Sequence, residues 1–461
     1  MLKEKLIGDR AFYQKVVKIT LPILIQNVIT NFVNLLDNVM VGRLGTELMS
    51  GVAIVNQLLF IFNLCIFGGL AGAGIFTAQY KGKEDMDGVR YTFRYKFVLA
   101  AGLAVLFIVF YAFFGGSLIQ TFIHQGKENL DLALTLESGK SYMAVMLFGL
   151  IPFALSQIYS GTLKETGETV LPMKAGVAAV VVNFCLNYVL IFGKLGMPAL
   201  GVVGAAIATL IARIVECLIV VLWTHRHRER NPFVAGLYEG LRIPKELVGR
   251  ITRKAMPLML NEVLWSVGMT LMNQCYSTRG LEAVSATNIS STESNLFCCA
   301  IFAFGNAISI IVGHRLGAGE LREARDEDTK LIFCSVVTCL IVGSLLAIAA
   351  PFLPLVYNVS DGVRSLATSL LWVSAAMMPF HAFTNCAYFT LRAGGQTTVT
   401  FLFDAVFMWV LCIPLAFCLS RFTDLPILPL FMAVTALDLV KCFIGVMLLK
   451  KGVWMRNLVN E

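Results

Sequence analysis

Asp37 stands in the run ITNFVNLLDNVMVGRLG, residues 29–45, among apolar side chains and the amides Asn31, Asn34 and Asn38. On insertion scales a carboxylate at the centre of an apolar helix costs about 2.5–3.5 kcal/mol, so such acids face a cavity or a partner and mark function. Asn34, three residues earlier, shares its helical face. Asn183 and Asn187 are four apart in a second apolar run, and Thr209 closes the stretch GAAIAT. One carboxylate, two or three amide oxygens and a hydroxyl form a hard-oxygen shell suited to Na+. Without a metal ion, desolvation in the same pocket would favour the neutral acid and make it a proton carrier.

A second polar set lies in the other half of the chain. Glu262 follows Pro257 by five residues in MPLMLNEVLWSVG, His381 and Asn385 are four apart, and Asp404 interrupts FLFDAVFMW. These residues are candidates for protonation or for holding substrate. Arg213 with Glu216, and Asp438 with Lys441, are three apart on single helices, a spacing that predicts self-neutralising pairs. Pro22 and Pro257 each remove a backbone hydrogen bond and predict bending there. The twelve cysteines include no C-x-x-C, and the GGLAGAG run at 68–74 lacks both the lysine and the preceding strand of a phosphate-binding loop. The five histidines are scattered, which predicts neither an enzyme nor a resident cofactor.

Twelve helices must position these groups. The chain has 461 residues, 57% hydrophobic and 14% charged, with 33 Phe, well above the roughly 45–50% apolar content of soluble domains. Continuous apolar runs long enough to cross a hydrocarbon layer fall at about 16–40, 50–78, 95–116, 141–162, 170–192, 200–223, 252–276, 284–312, 330–351, 366–390, 397–419 and 428–449. They do not alternate, so they predict helices and not barrel strands. About 28 of the 37 Lys and Arg lie at the termini and in every second loop, and about seven in the other loops. That bias predicts a multi-pass protein of the cell inner membrane with both termini cytoplasmic. It also accounts for the net charge of +8, THRHRER at 224–230 included, without a nucleic-acid partner.

Sliding the sequence by 235 residues places Pro22 on Pro257, Asn38 on Asn273, Gly45 on Gly280 and Gly82 on Gly317. A shift of 227 to 228 pairs Pro152 with Pro379 and Gly167 with Gly395. A shift of six helices preserves orientation, so the halves are parallel repeats, as secondary transporters are commonly built. The expected division is 1–223 for the amino-terminal lobe, 224–250 for a cytoplasmic linker, 251–450 for the carboxyl-terminal lobe and 451–461 for a cytoplasmic tail.

The runs LPILIQNVITNFVNLLDNVMVGRLG, NFCLNYVLIFGKLGMPALGVVGAAIAT, MPLMLNEVLWSVGMT and LRAGGQTT resemble the multidrug and toxic compound extrusion (MATE) transporters over essentially the whole chain. The resemblance implies two pseudo-symmetric six-helix bundles forming a V around a central cavity. It further implies export of small organic, often cationic compounds in exchange for Na+ or H+ by a monomer in the bilayer. Asp37 and Asn183 match family positions. Asn187 replaces an aspartate present in many members, and His381 stands where some carry an aspartate. Two other readings of the same sequence are a lipid-linked polysaccharide flippase and a channel. Met272 occupies the position of Asp37 in the second repeat, so the duplicated fold does not itself require the acid.

Overall fold

The computed structural model describes residues 6–122, 131–240 and 242–460, without the side chains at 33–36, 38, 39 and 46. Among the described residues the backbone is helical almost throughout and contains no strand, as expected where only intrahelical bonds can satisfy backbone polar groups. The helices are α1 Arg10–Gly42, α2 Thr46–Gly82, α3 Met86–Phe122, α4 Leu132–Phe148, α5 Leu150–Glu165, α6 Val170–Phe192 and α7 Gly201–Arg226 in the first half. The second half holds α8 Lys245–Ser277, α9 Leu281–Ala318, α10 Leu321–Ala349 and α11 Asp361–Ala393, followed by α12 Thr397–Phe422 and α13 Ile427–Lys451. Among the described residues ten helices are long and apolar enough to span a membrane, and the bent pair α4–α5 supplies an eleventh span. With α1, whose 33 residues extend about 50 Å at 1.5 Å per residue, they account for the twelve spans expected.

Two helices depart from the simple expectation. The fourth span, expected as one helix, is bent by 45° between α4 and α5. Pro152 cannot donate to the carbonyl four residues back and crowds it, and Gly149 joins the two pieces with an N–H bonded to Met146 O at 2.9 Å. The repeat-related Pro379 sits inside the unbroken α11, where Ala376 stands in place of the glycine. In α12 the turns Leu402–Val406 and Met408–Cys412 are π-helical. Asn261 Oδ1 accepts the backbone N–H of Ala405 at 3.2 Å, and Trp409 Nε1 donates to Leu264 O at 3.0 Å, so α8 fastens both turns. Pro22 and Pro257 each lie inside a continuous helix, α1 and α8.

Packing groups Ile25–Thr77 with Met86–Thr252, and Met1–Leu24 with Ala78–Asp85 and Arg253–Glu461. In the first unit α6 and α7 pack together and α7 runs against α4 and α5. The segment after α7 is folded onto α3: buried Arg94 donates to the carbonyls of Gly236 at 2.6 Å, Leu237 at 3.0 Å and Arg242 at 3.1 Å. In the second unit α11 is central, packed against α9, α10 and α13. There the end of α2 meets the end of α9 through repeat-related glycines. A Cβ on Gly82 would collide with the His314 carbonyl, and one on Gly317 with the Gln79 carbonyl. Because 79 and 82 map onto 314 and 317, the contact is reciprocal between repeat-related positions. Gln79 also donates to Ala393 O at 3.0 Å and accepts from Leu458 N at 2.7 Å, tying in the segment after α13.

Candidate functional site

Four of the residues predicted for the amino-terminal set converge. Asn187 Nδ2 donates to Asp37 Oδ1 at 2.7 Å, which joins α6 to α1. The Asn183 amide is best satisfied with its nitrogen toward Asp37, donating to Oδ1 at 2.9 Å and Oδ2 at 3.1 Å, while its oxygen accepts from Thr209 Oγ1 of α7 at 3.2 Å. Asn183 and Asn187 are buried, at 6% and 1% exposure. A spacing of four on α6 puts both amides on one face, and the small residues of GAAIAT let α7 approach closely enough for Thr209 to join them. The Asn34 side chain lies outside the described residues.

Two amide N–H groups thus clasp the carboxylate, and their partial positive charge stands where a cation's would. Among the described residues Asp37 has no cationic side chain as partner. Asn187 Oδ1 is buried with no hydrogen-bond partner, an expensive state for an amide oxygen and a ready ligand for a hard cation. Turning either amide about its last torsion exchanges a donor for an acceptor facing the carboxylate. The donor set therefore fits Na+ as well as a proton. Tyr142 on α4, buried and within electrostatic reach of Asp37, donates to Asn56 Oδ1 at 3.3 Å. The sequence reading missed it, since an isolated tyrosine in an apolar helix carries no spacing signal.

The carboxyl-terminal set is built differently. Asp404, in the first π-turn of α12, receives Lys441 Nζ of α13 on Oδ1 at 2.6 Å and Asn261 Nδ2 of α8 on Oδ2 at 3.1 Å. His381 Nε2 of α11 lies 2.6 Å from Asp438 Oδ2 of α13. Glu262 is within electrostatic reach of Arg392 and Asp404. Asn385 stands apart: its Oδ1 is buried without a partner, close to the Cα of Gly305, where an added Cβ would lie 2.6 Å away.

The pairs expected at 213/216 and 438/441 remain within electrostatic reach of each other, but among the described residues neither forms an ion pair within its own helix. At a spacing of three the charged tips of these side chains diverge toward different neighbours. Lys441 and Asp438 reach α12 and α11. Arg213 Nη1 donates to Gly149 O at 3.3 Å, at the bend between α4 and α5, and its guanidinium lies 4.9 Å from the Phe153 ring centre. Glu216 has Lys164 as well as Arg213 within electrostatic reach. Among the described residues no group of three His, Cys, Asp or Glu has the geometry of a metal centre.

The MatE family model matches this chain twice, over residues 22–189 and 257–418, with starts at the two repeat-related prolines. The Thermotoga maritima protein named "Probable multidrug resistance protein NorM" is 23% identical over 452 residues, covering 97% of this chain and 94% of its own length. Multidrug resistance protein MdtK of Pectobacterium atrosepticum is 25% identical over 411 residues, covering 88% and 87%. Among solved structures, the outward-facing conformation of a multidrug resistance MATE family transporter of the MOP superfamily shares the fold with a TM-score of 0.85 at 18% identity, covering 97% of this chain and 96% of its own. The repeated match spans most of the sequence and coincides with the duplicated helices, and the chain therefore belongs to the MatE family of multi-pass membrane transporters.

Proposed function

We propose that this protein is a secondary antiporter that exports small organic compounds, amphipathic and cationic, in exchange for Na+ or H+. The observation that carries this reading is the contrast between the two polar sets. Asp37 is held by neutral amides and has no cationic side chain as partner among the described residues, whereas Asp404 and Asp438 each have a basic side chain on them. A mobile cation or proton gains most where a carboxylate lacks a built-in counter-charge, so the coupling ion belongs at Asp37, with Asn183, Asn187 and Thr209 as its oxygen ligands. Differential binding of ion and substrate to two conformations is sufficient for exchange by alternating access. Both repeats lie in one chain, so the monomer is the working unit. The excess of Lys and Arg at the termini and in alternate loops supports an orientation in the bacterial inner membrane with both termini cytoplasmic.

Purified protein in proteoliposomes, loaded with a fluorescent organic cation and given a Na+ gradient or a pH gradient separately, tests this. One gradient is expected to drive the cation against its own gradient. Flux that follows only the cation's own gradient under both conditions would replace the antiporter with a channel.

A further inference from the structure

We propose that Lys441 is a tethered counter-cation in the carboxyl-terminal set, which an incoming organic cation displaces from Asp404 and which Asp438 then receives. This rests on the reading that the substrates are cationic. The Lys441 ammonium lies 2.6 Å from Asp404 Oδ1, and the two side chains keep 15% and 20% of their surface exposed. Ionised groups inside a spanning bundle face its interior or a water-filled path, so this pair is open to exchange. The ammonium also lies 5.2 Å and 5.9 Å from the ring centres of Phe403 and Phe407. A carboxylate flanked by two aromatic faces is the constellation that recognises an organic ammonium or phosphonium, and here the chain's own lysine fills it.

The carboxylate does not depend on the lysine for its position. Asn261 holds Oδ2 from the other side and is itself anchored on the Ala405 N–H, so Asp404 stays aimed when Lys441 leaves. Asp438, one helical turn earlier on α13, is within electrostatic reach of Lys441 and keeps its present bond to His381 through Oδ2. A lysine's flexible four-carbon stem can swing between the two acids, which an arginine or a fixed metal ion could not do as freely. Competition of this kind sets a threshold: only cations that bind Asp404 and the two rings better than Lys441 does are admitted.

The test is equilibrium binding of tetraphenylphosphonium to the full-length protein in detergent, by calorimetry, with triphenylphosphine oxide as the uncharged control. Lys441→Met is expected to lower the Kd for the cation about fivefold, the upper range for a part-exposed ion pair, and to leave the control unchanged. Lys441→Arg, which keeps a cation on Asp404 but releases it less freely, should bind the organic cation no more tightly than the wild type, and Asp404→Asn and Asp438→Asn should each weaken the cation. If Lys441→Met does not fold, Lys441→Gln makes the same comparison. Equal or weaker cation binding in a folded lysine variant, or unchanged binding in Asp404→Asn, overturns the displacement. Absence of cation binding in both wild type and lysine variant would instead sink the cationic-substrate reading on which it rests.

Discussion

Replacing Asp37 by Asn tests the coupling site at nearly constant shape. The charge disappears and the Asn187 Nδ2–H, at 2.7 Å from the carboxylate, faces an amide that can still accept it after one rotation. The loss in folding stability is then the charge-assisted part of the bond, on the order of 1 kcal/mol, and the fold survives. Transport is affected on a different scale. For a one-to-one exchange of an ion with a monovalent organic cation the voltage contributions cancel, and a tenfold ion gradient supplies about 1.4 kcal/mol, enough for about tenfold accumulation. In proteoliposomes under such a gradient the wild type should reach that ratio and Asp37→Asn should stay at unity, while downhill exchange of substrate for substrate continues. Gradient-driven accumulation at the wild-type ratio in Asp37→Asn would refute the placement of the ion.

Three further outcomes follow from the same geometry. If Na+ is the coupling ion, Na+ at about a hundred times its Kd should stabilise the wild type by roughly 2.7 kcal/mol, read as a higher thermal midpoint, and should leave Asp37→Asn unmoved; a sodium response of equal size in the variant would place the ion elsewhere. Arg213→Met removes both the hydrogen bond to Gly149 O and the contact with the Phe153 ring and should lower unfolding stability by about 1.5–3 kcal/mol, measured by detergent titration, whereas an unchanged midpoint would show that the bend needs no brace. Gly317→Val forces a side chain into the Gln79 carbonyl and should abolish the monodisperse peak in size-exclusion chromatography, while Gly102→Ala, where an added Cβ meets nothing within 4 Å, should keep it.

The fold was legible because the bilayer leaves few choices. Length of apolar run, loop charge and the 235-residue register are each visible in one sequence, and they fix helix number and repeat order. The breaks inside helices were harder to read. Pro152 and Pro379 are equivalent in sequence, yet the helix is interrupted only beside the first, where Gly149 stands in place of Ala376. The π-turns of α12 had no local signal at all, since they are drawn out by Asn261 and Trp409 through contacts with α8. For the site, the spacing of Asn183 and Asn187 correctly predicted a shared face. The same logic failed at Asp438 and Lys441, where partners on α11 and α12 won over the neighbour on the same helix.

The same choice of partners separates the two polar sets. At the position equivalent to Asp37, Met272 is buried in an apolar cluster with Cys275, Tyr276, Ala416 and Leu430. The second repeat therefore satisfies its packing at that point with hydrocarbon alone, and the acid in the first repeat is an addition the architecture did not demand. The ionisable groups of the second repeat lie at other positions: Asp404 and Asp438 are each paired to a basic side chain, Glu262 has Arg392 within electrostatic reach, and buried Asp328 on α10 accepts a hydrogen bond from Thr390. A half with a carboxylate held only by amides can take and release a small ion without breaking a salt bridge. Where an acid already carries an ammonium, as Asp404 carries that of Lys441, an incoming cation must displace it, which makes the step selective.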